Sequence, residues 1–285
     1  MKTVNPHDYK DLDNAYKIAL IAAEEGNGDL HTCLVSSLTN KGADKMMFGE
    51  FITGITKELI HEHPKTGFLI MSISRDFWTG KMDFTHKVHE GEDYVKMNEY
   101  PLFRFNTYFG VHTVHYADLV DISERQAVNM PGVIANAVWV ILAKCANAGP
   151  KTEVKPALRP WAKKFLNGLL TLKYISYMGE DGYPKIVPII QAQAANDSRV
   201  VFTRSPYAKM LSDLREGVRV NVYAVSLDME VLLVKGTYRK GKLGLGVVDI
   251  DKVYNSAPPK MGYTYPAEKN EAVNFADEPL APYPV

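Results

Sequence analysis

Two short stretches of this 285-residue chain gather residue types that can hold a phosphate group. One is VVFTRSPYAKMLSDL, residues 200–214. An apolar run ends in Thr203-Arg204-Ser205-Pro206, and Lys209 follows on what the pattern reads as the first turn of a helix reaching about Leu214. Pro206 suits a first turn, where its missing N–H costs no hydrogen bond. The free backbone N–H groups of such a turn favour an anion. The same residues equally fit a plain helix start with Lys209 in solvent.

The other stretch is SRDFWTGKMDFTHK, residues 74–87, which follows the apolar run GFLIMSI. Ser72 and Ser74 align with Thr203 and Ser205 at an offset of 131, so the two stretches read as matching corners. Ser72, Ser74, Arg75, Trp78, Thr79, Gly80, Lys81, Thr85 and Lys87 then crowd together. Arginine grips phosphate through two nitrogens, and hydroxyls with glycine N–H groups complete a cradle. Trp78 could cover a flat ring. The plainer reading is an exposed basic loop with one aromatic buried for stability. Upstream, Gly49 in MMFGEF (46–51) would let a flat ligand approach the strand backbone, or would mark a bulge.

All eight histidines lie at or before His115. His112 and His115 are three apart on a strand and so point to opposite faces. His61 and His63, or His86 and His89, could share a face, but no third ligand is placed beside either pair and no metal site is expected. Singly they read as core or surface residues. Together they keep a haem reading open, and His86 or His115 could donate a proton.

These residues need a scaffold, and the bulk composition bounds it. Hydrophobic residues are 46% and charged residues 23%, enough for a sizeable core. The formal net charge is zero, which argues against a dedicated nucleic-acid partner. Cys33 and Cys145 are too few for a disulfide framework. MKTVNPHDYK has no apolar core of a signal peptide. VIANAVWVILA (133–143) is too short to span a bilayer and is expected to be a buried helix. A cytoplasmic chain with no membrane partner is expected. No dinucleotide fingerprint, phosphate-loop motif or nucleophile elbow is present.

Periodicity predicts a helix over 8–25, then strands at 31–38, 45–53, 67–73, 102–109 and 111–122, with a short helix at 91–99. A helical pattern fills 123–147, and Pro150 and Pro156 break it. The second half reads as a helix at 159–170 and strands at 172–178, 184–194, 199–204, 218–226, 230–238 and 245–254. Six prolines after Ser256 keep the tail out of a sheet. The expected units are 1–149, 150–255 and a Pro-rich tail 256–285. FRFNTY at 103 matches VRVNVY at 218, with Arg104, Asn106 and Tyr108 falling on Arg219, Asn221 and Tyr223 at an offset of 115. KMMFGEF at 45 against KIVPIIQ at 185 gives 140, which implies about 25 additional residues in the first half. The repeat predicts a duplicated antiparallel β-barrel.

Residues 172–225 also carry a family resemblance. Asp181-Gly182-Tyr183-Pro184, Val187-Pro188, Phe202-Thr203, Ser205, Lys209 and Leu214 with Gly217-Val218 follow the order found in the FMN-binding split-barrel family related to pyridoxamine 5'-phosphate oxidase. Lys209 lies six residues after Thr203, as the family's phosphate-binding lysine does. The family's serine position falls instead on Tyr207, so Arg204 or Ser205 would have to substitute. The resemblance covers roughly 160–255, and 29–122 more loosely. It implies a mainly β fold with flanking helices, two antiparallel split β-barrels in tandem, and FMN between two barrels. Those barrels would be the chain's own halves or two chains of a homodimer. The residues implied near FMN are Met47, Phe48, Gly49, Ser72, Ser74, Arg75, Trp78, Thr79, Lys81, Thr203, Arg204, Ser205 and Lys209. The implied activity is an oxidoreductase that exchanges a hydride with a reduced nicotinamide or an organic substrate. Two alternatives share the fold: a haem- or other ligand-binding protein without turnover, and a dimeric scaffold without cofactor.

Overall fold

The computed structural model describes residues 3–26, 28–51, 54–99, 110–149, 156–226, 228, 230–256 and 262–266. The first half contributes β1 (Lys17–Gly26), β2 (Asp29–Leu34), β3 (Thr39–Lys41), β4 (Lys45–Glu50), β5 (Lys65–Ser72), β6 (Asp76–Val88), β7 (Thr113–Ile122) and β8 (Gln126–Ala127). The second contributes β9 (Leu172–Met178), β10 (Pro184–Pro188), β11 (Gln193–Asn196), β12 (Arg199–Thr203), β13 (Arg219–Val225), β14 (Val231–Lys240), β15 (Leu245–Asn255) and β16 (Gly262–Tyr265). The helices are α1 (Tyr9–Leu12), α2 (Ile55–Glu62), α3 (Glu92–Glu99), α4 (Met130–Ala143) and α5 (Pro160–Leu166).

The two sheets have one plan. The first runs β2-β1-β5-β6-β7-β4-β3 with β8 on β6, and the second runs β10-β9-β13-β14-β15-β12-β11 with β16 on β15. Every pairing described is antiparallel. In the first sheet, Ala19 and Ile21 of β1 meet Phe48 of β4 and Trp78 of β6 in one core. Strands remote in the sheet order share an interior, so the sheet curls into a split barrel. The chain is two such barrels in tandem.

Register shows the duplication residue by residue. Leu20 pairs with Leu34 and Leu69, and Tyr174 pairs with Pro188 and Tyr223, all at an offset of 154. Met47 opposite Thr39 maps onto Val201 opposite Gln193 at the same offset. At β7 the offset falls to 131, with Asp118 facing Lys45 as Asp249 faces Arg199. The first copy therefore carries 23 more residues between β6 and β7, where α3 lies. The expected offsets of 115 and 140 are corrected accordingly. VRVNVY of β13 corresponds to β5, while FRFNTY lies outside the described residues. KMMFGEF corresponds to β12 rather than to β10. Alternation repeats every two residues on any strand, so it cannot say which strand matches which.

The barrels meet through β1, β2 and β5 on one side and β9, β10 and β13 on the other. Leu20, Ala22, Leu69 and Met71 join Tyr174, Val187 and Val222 in a shared core. β1 thus sends Ala19, Ile21 and Ala23 into its own barrel and Leu20 and Ala22 into the seam. A strand buried on both faces reads as a continuous apolar run, which is why 8–25 looked helical; only Tyr9–Leu12 is α-helix. Polar pairs cross the seam as well. Thr32 Oγ1 and Ser176 Oγ are 2.6 Å apart, and Asn221 Nδ2 donates to the Leu30 carbonyl at 2.6 Å. Arg219 and Lys252 hold Asp29 at 2.5 and 2.9 Å, while Lys235 pairs with Glu25 and Lys81 with Asp181.

Two further expectations change. The tail does enter the sheet: Gly262–Tyr265 pairs with β15, in a stretch between Pro259 and Pro266 that is free of proline. α4 is buried on one side only. Val133 joins the shared core, and Val140 and Ala143 pack on Val201, Leu245 and Val247 of the second barrel. Met130–Asn147 is long and apolar enough to cross a membrane by length and composition, yet this inner face rests on the barrel.

Candidate functional site

The corner after β12 is closed. Thr203 is buried, its hydroxyl donates to the Ser205 carbonyl at 2.5 Å, and Gln191 Nε2 donates to the Thr203 carbonyl at 2.8 Å. Residues 204–213 form successive turns and not the expected helix. Side chains take the acceptors a helical ladder would use: Arg204 donates to the Leu211 carbonyl, and the Tyr177 hydroxyl donates to that of Met210 at 2.9 Å. No regular helix starts here: Leu211 N–H closes one turn on the Tyr207 carbonyl at 3.1 Å and the chain continues in turns. Tyr207 fills the position where the resemblance calls for serine. Its ring meets Phe77 of the first barrel edge-on at 6.0 Å, and burial pushes its hydroxyl up to about 12. Lys209 and Ser205 remain exposed.

The stretch 72–87 is a hairpin and a strand, not a loop. Ser72, Ser74 and Asp76 bond one another at the β5–β6 turn, where Arg75 adopts a φ of 70°. Lys81 lies six residues along β6, about 20 Å from Arg75 at ~3.3 Å per strand residue, and is committed to Asp181 across the seam. Thr79 N–H donates to Ser123 Oγ at 3.1 Å. Trp78 is fully buried, donates to Asp8 at 3.0 Å and lies under Arg125 at 5.1 Å. It can cover no ligand. These residues form no common cradle, and their counterpart is the β13–β14 hairpin. The match to 203–209 rested on an apolar strand followed by serine, a pattern that several strand ends share.

The true counterpart of Thr203 is Gly49. A Cβ there would fall 2.9 Å from Val111, so the close approach is to the chain itself rather than to a flat ligand. Ser37 Oγ donates to the Gly49 carbonyl at 2.8 Å and accepts from its N–H at 3.1 Å. Phe48 stacks on His115 inside the barrel at 4.7 Å, and Met47 faces the other way against Met97 and Val111.

Beyond Gly49 stands a real helix start. α2 has Gly54 at its N-cap with no side-chain cap. Lys57 N–H donates to the Gly54 carbonyl at 3.0 Å, so the N–H groups of Ile55 and Thr56 precede the ladder. Thr56 Oγ1 is buried with no partner stronger than the neighbouring Cys33 thiol. Lys57 is on the same turn. Burial pushes its ammonium down, while Cys33 and Glu50 pull it back. Glu50 Oε2 lies 2.7 Å from His115 Nε2. Burial raises the Glu50 carboxyl, but His115 and Lys57 outweigh it and hold it below the usual range. His115 is pushed down by burial against the pull of Glu50, and its Nδ1 is buried without a partner among the described residues. Ile55 packs against the shared core, and the Tyr223 hydroxyl of the second barrel reaches the Cys33 surroundings. The corner therefore borders the seam between barrels.

Cys33, Glu50, Thr56 and Lys57 were missed in the sequence. The available signals were the N-cap Gly54 before a helical period in ITKELIHE and the strand offset of 154. Three other histidines make ring contacts. His31 meets Tyr254 edge-on at 4.7 Å, His86 stacks on Tyr116 at 4.6 Å, and His61 meets Phe84 edge-on at 4.7 Å. Among the described residues no three His, Cys, Asp or Glu side chains converge as a metal site.

As a fit for FMN the two corners differ. The first offers an uncapped helix start, a cation and a hydroxyl whose only named partner is the weak Cys33 thiol, with the Glu50 charge already balanced. The second offers a seat filled by Tyr207. Solved structures similar to this chain include an FMN-binding protein from Syntrophomonas wolfei (17% identity, 43% of this chain and 86% of that one, TM-score 0.36). Others are a NimC/NimA family protein from Clostridium acetobutylicum (12%, 41% and 86%, 0.31) and the styrene monooxygenase flavin reductase from Pseudomonas putida (13%, 41% and 85%, 0.27). No family model and no curated protein matches the chain.

Proposed function

We propose that this chain is an FMN-binding flavoprotein that holds the cofactor at the seam between its own two barrels, with the phosphate on the first-barrel corner formed by Gly54, Ile55, Thr56 and Lys57. The observation that carries this reading is the uncapped start of α2 beside Lys57 and the Thr56 hydroxyl, which has only the Cys33 thiol beside it, at the end of the stretch 49–55 equivalent to Thr203–Lys209 in the copy that resembles the FMN-binding family. The two N–H groups that precede the α2 ladder and one ammonium suit a dianion. Glu50 does not oppose it, because its charge is shared between His115 and Lys57.

Bound FMN would supply hydride chemistry with a reduced nicotinamide or an organic substrate, and the reading is therefore an oxidoreductase. The chain's own part is to bind and to orient. Thr56 and the α2 N–H groups fix the phosphate, and the Glu50–His115 pair steadies Lys57. The second barrel closes the seam with Tyr223. This reading moves the cofactor contacts off Arg75, Trp78 and Lys81 and demotes Lys209.

The test is the absorbance of the purified protein followed by FMN titration of three variants. Wild type is expected to carry or take up flavin. Lys57→Ala is expected to weaken FMN by at least ~10-fold, the loss of one charge-assisted hydrogen bond. Lys209→Ala and the double variant Arg75→Ala/Lys81→Ala are expected to bind as wild type. A colourless protein that takes up no FMN, or a loss at Lys209 with none at Lys57, overturns the proposal.

A further inference from the structure

α4 presents a surface that neither barrel uses. Pro131, Ile134, Ala135, Val138, Trp139, Ile141 and Leu142 all face outward, and residues 130–147 contain no Asp or Glu. Helices on protein surfaces normally turn charged residues outward. Here Leu142 is 71% exposed, Ile134 59%, Val138 54%, Trp139 46% and Ile141 41%. The β14–β15 turn extends the patch: Leu243 is 55% exposed and its carbonyl accepts from Trp139 Nε1 at 3.3 Å. An apolar face this continuous marks a contact surface.

We propose that this face docks a second copy of the chain, the two α4 helices packing antiparallel about a two-fold axis through Val138. Spacing, area and charge each support that occupant. Pro131, Ala135, Val138 and Leu142 follow the alternating four-three spacing of a helix–helix seam, and Cys145 continues it. The exposed positions Pro131, Ile134, Ala135, Val138, Ile141, Leu142 and Cys145 are symmetric about Val138, so an antiparallel partner sets Ile134 against Leu142, Ala135 against Ile141 and Val138 against itself. Six side chains, each about half exposed, offer on the order of 600 Å² per copy, the lower bound for a specific pair. Lys144, Lys240 and Lys242 lie at the C-terminal end alone, joined there by the Asn147 bond to the Lys242 N–H at 2.7 Å. An antiparallel pair holds the two basic ends about 20 Å apart, beyond the ~8 Å screening length of physiological salt. A parallel pair would bring them together. An anionic lipid surface would favour basic residues along the whole helix rather than at one end.

The experiment is sedimentation velocity of the full chain from micromolar upward, with disulfide trapping. Wild type is expected to form dimers in a concentration-dependent way. Leu142→Glu and Val138→Glu place a charge at exposed positions, so they should keep the wild-type circular dichroism while weakening the dimer at least ~30-fold. Val138→Cys in a Cys145→Ser background should oxidise to a covalent dimer, because the two residues meet at the axis. Native Cys145 should not link to itself, since antiparallel packing holds its two copies about 20 Å apart. A monomer at all concentrations, a dimer indifferent to Leu142→Glu, or a monomer that floats with phosphatidylserine vesicles would each overturn the proposal. None of these readouts depends on flavin.

Discussion

Gly67→Ala should pry the two barrels apart. Gly67 lies on β5 with its Cα against β10 of the other barrel, and a Cβ added there would sit 1.9 Å from the Pro184 carbonyl oxygen. Ordinary contact begins near 3.4 Å, so one strand must retreat by roughly 1.5 Å. Both sides of the clash are backbone, so no side chain can rotate away. Overpacking of this kind costs about 1–3 kcal/mol, and the backbone origin puts this case at ~3. Separation also stretches the 2.6 Å bonds Thr32–Ser176 and Asn221–Leu30, which are buried and cannot turn to water without further loss. Urea unfolding followed by tryptophan fluorescence reads the effect. With a denaturant slope near 3 kcal/mol per M, the midpoint should fall by ~1 M. A split into two transitions would show the barrels unfolding separately, in agreement with a seam that couples them. A shift below ~0.3 M with a single transition would refute the close backbone approach and the seam built on it.

Two further outcomes follow from the same seam. Lys235 is fully buried and paired with Glu25, so Lys235→Met should destabilise by about 3 kcal/mol in thermal or urea unfolding, because Glu25 keeps its charge and loses its cation. Burial, with Lys235 nearby, pushes His31 down to about 3. The unfolded chain then binds a proton near pH 6.5 that the folded chain refuses, so stability should fall as pH drops from about 6.5 toward 3. His31→Gln should flatten that part of the stability–pH curve; an unchanged slope would count against a neutral buried His31.

The architecture was legible where one strand face is polar and turns are marked. The hairpin from Leu172 to Pro188 across Asp181-Gly182 is such a case, and so is β14–β15 around Gly241–Gly244. It was not legible in β1, because Lys17–Gly26 is buried on both faces and lost its period of two. Duplication was visible as a pattern but not in register, since Arg-x-Asn-x-Tyr on β13 finds a partner on any alternating strand. The candidate site was missed for a related reason. Donor density at Ser72–Lys87 suggested a cradle, but an extended strand spreads those donors over tens of ångströms and aims successive ones to opposite faces. The proposed corner at Gly54–Lys57 is sparse in donors by composition, and its N–H groups become visible only once α2 is known to start uncapped. Apolarity of α4 was read correctly as a helix, but composition cannot say that only one side is covered by its own chain.

The central claim is that the first-barrel corner holds a flavin phosphate. The affinity ratio of FMN to riboflavin, measured by titration in wild type and in Lys57→Ala, isolates that phosphate from the ring. The account expects wild type to favour FMN by at least ~10-fold and Lys57→Ala to lose most of that preference while its riboflavin affinity stays unchanged. Equal affinity for FMN and riboflavin in wild type, or an undiminished preference in Lys57→Ala, would contradict it.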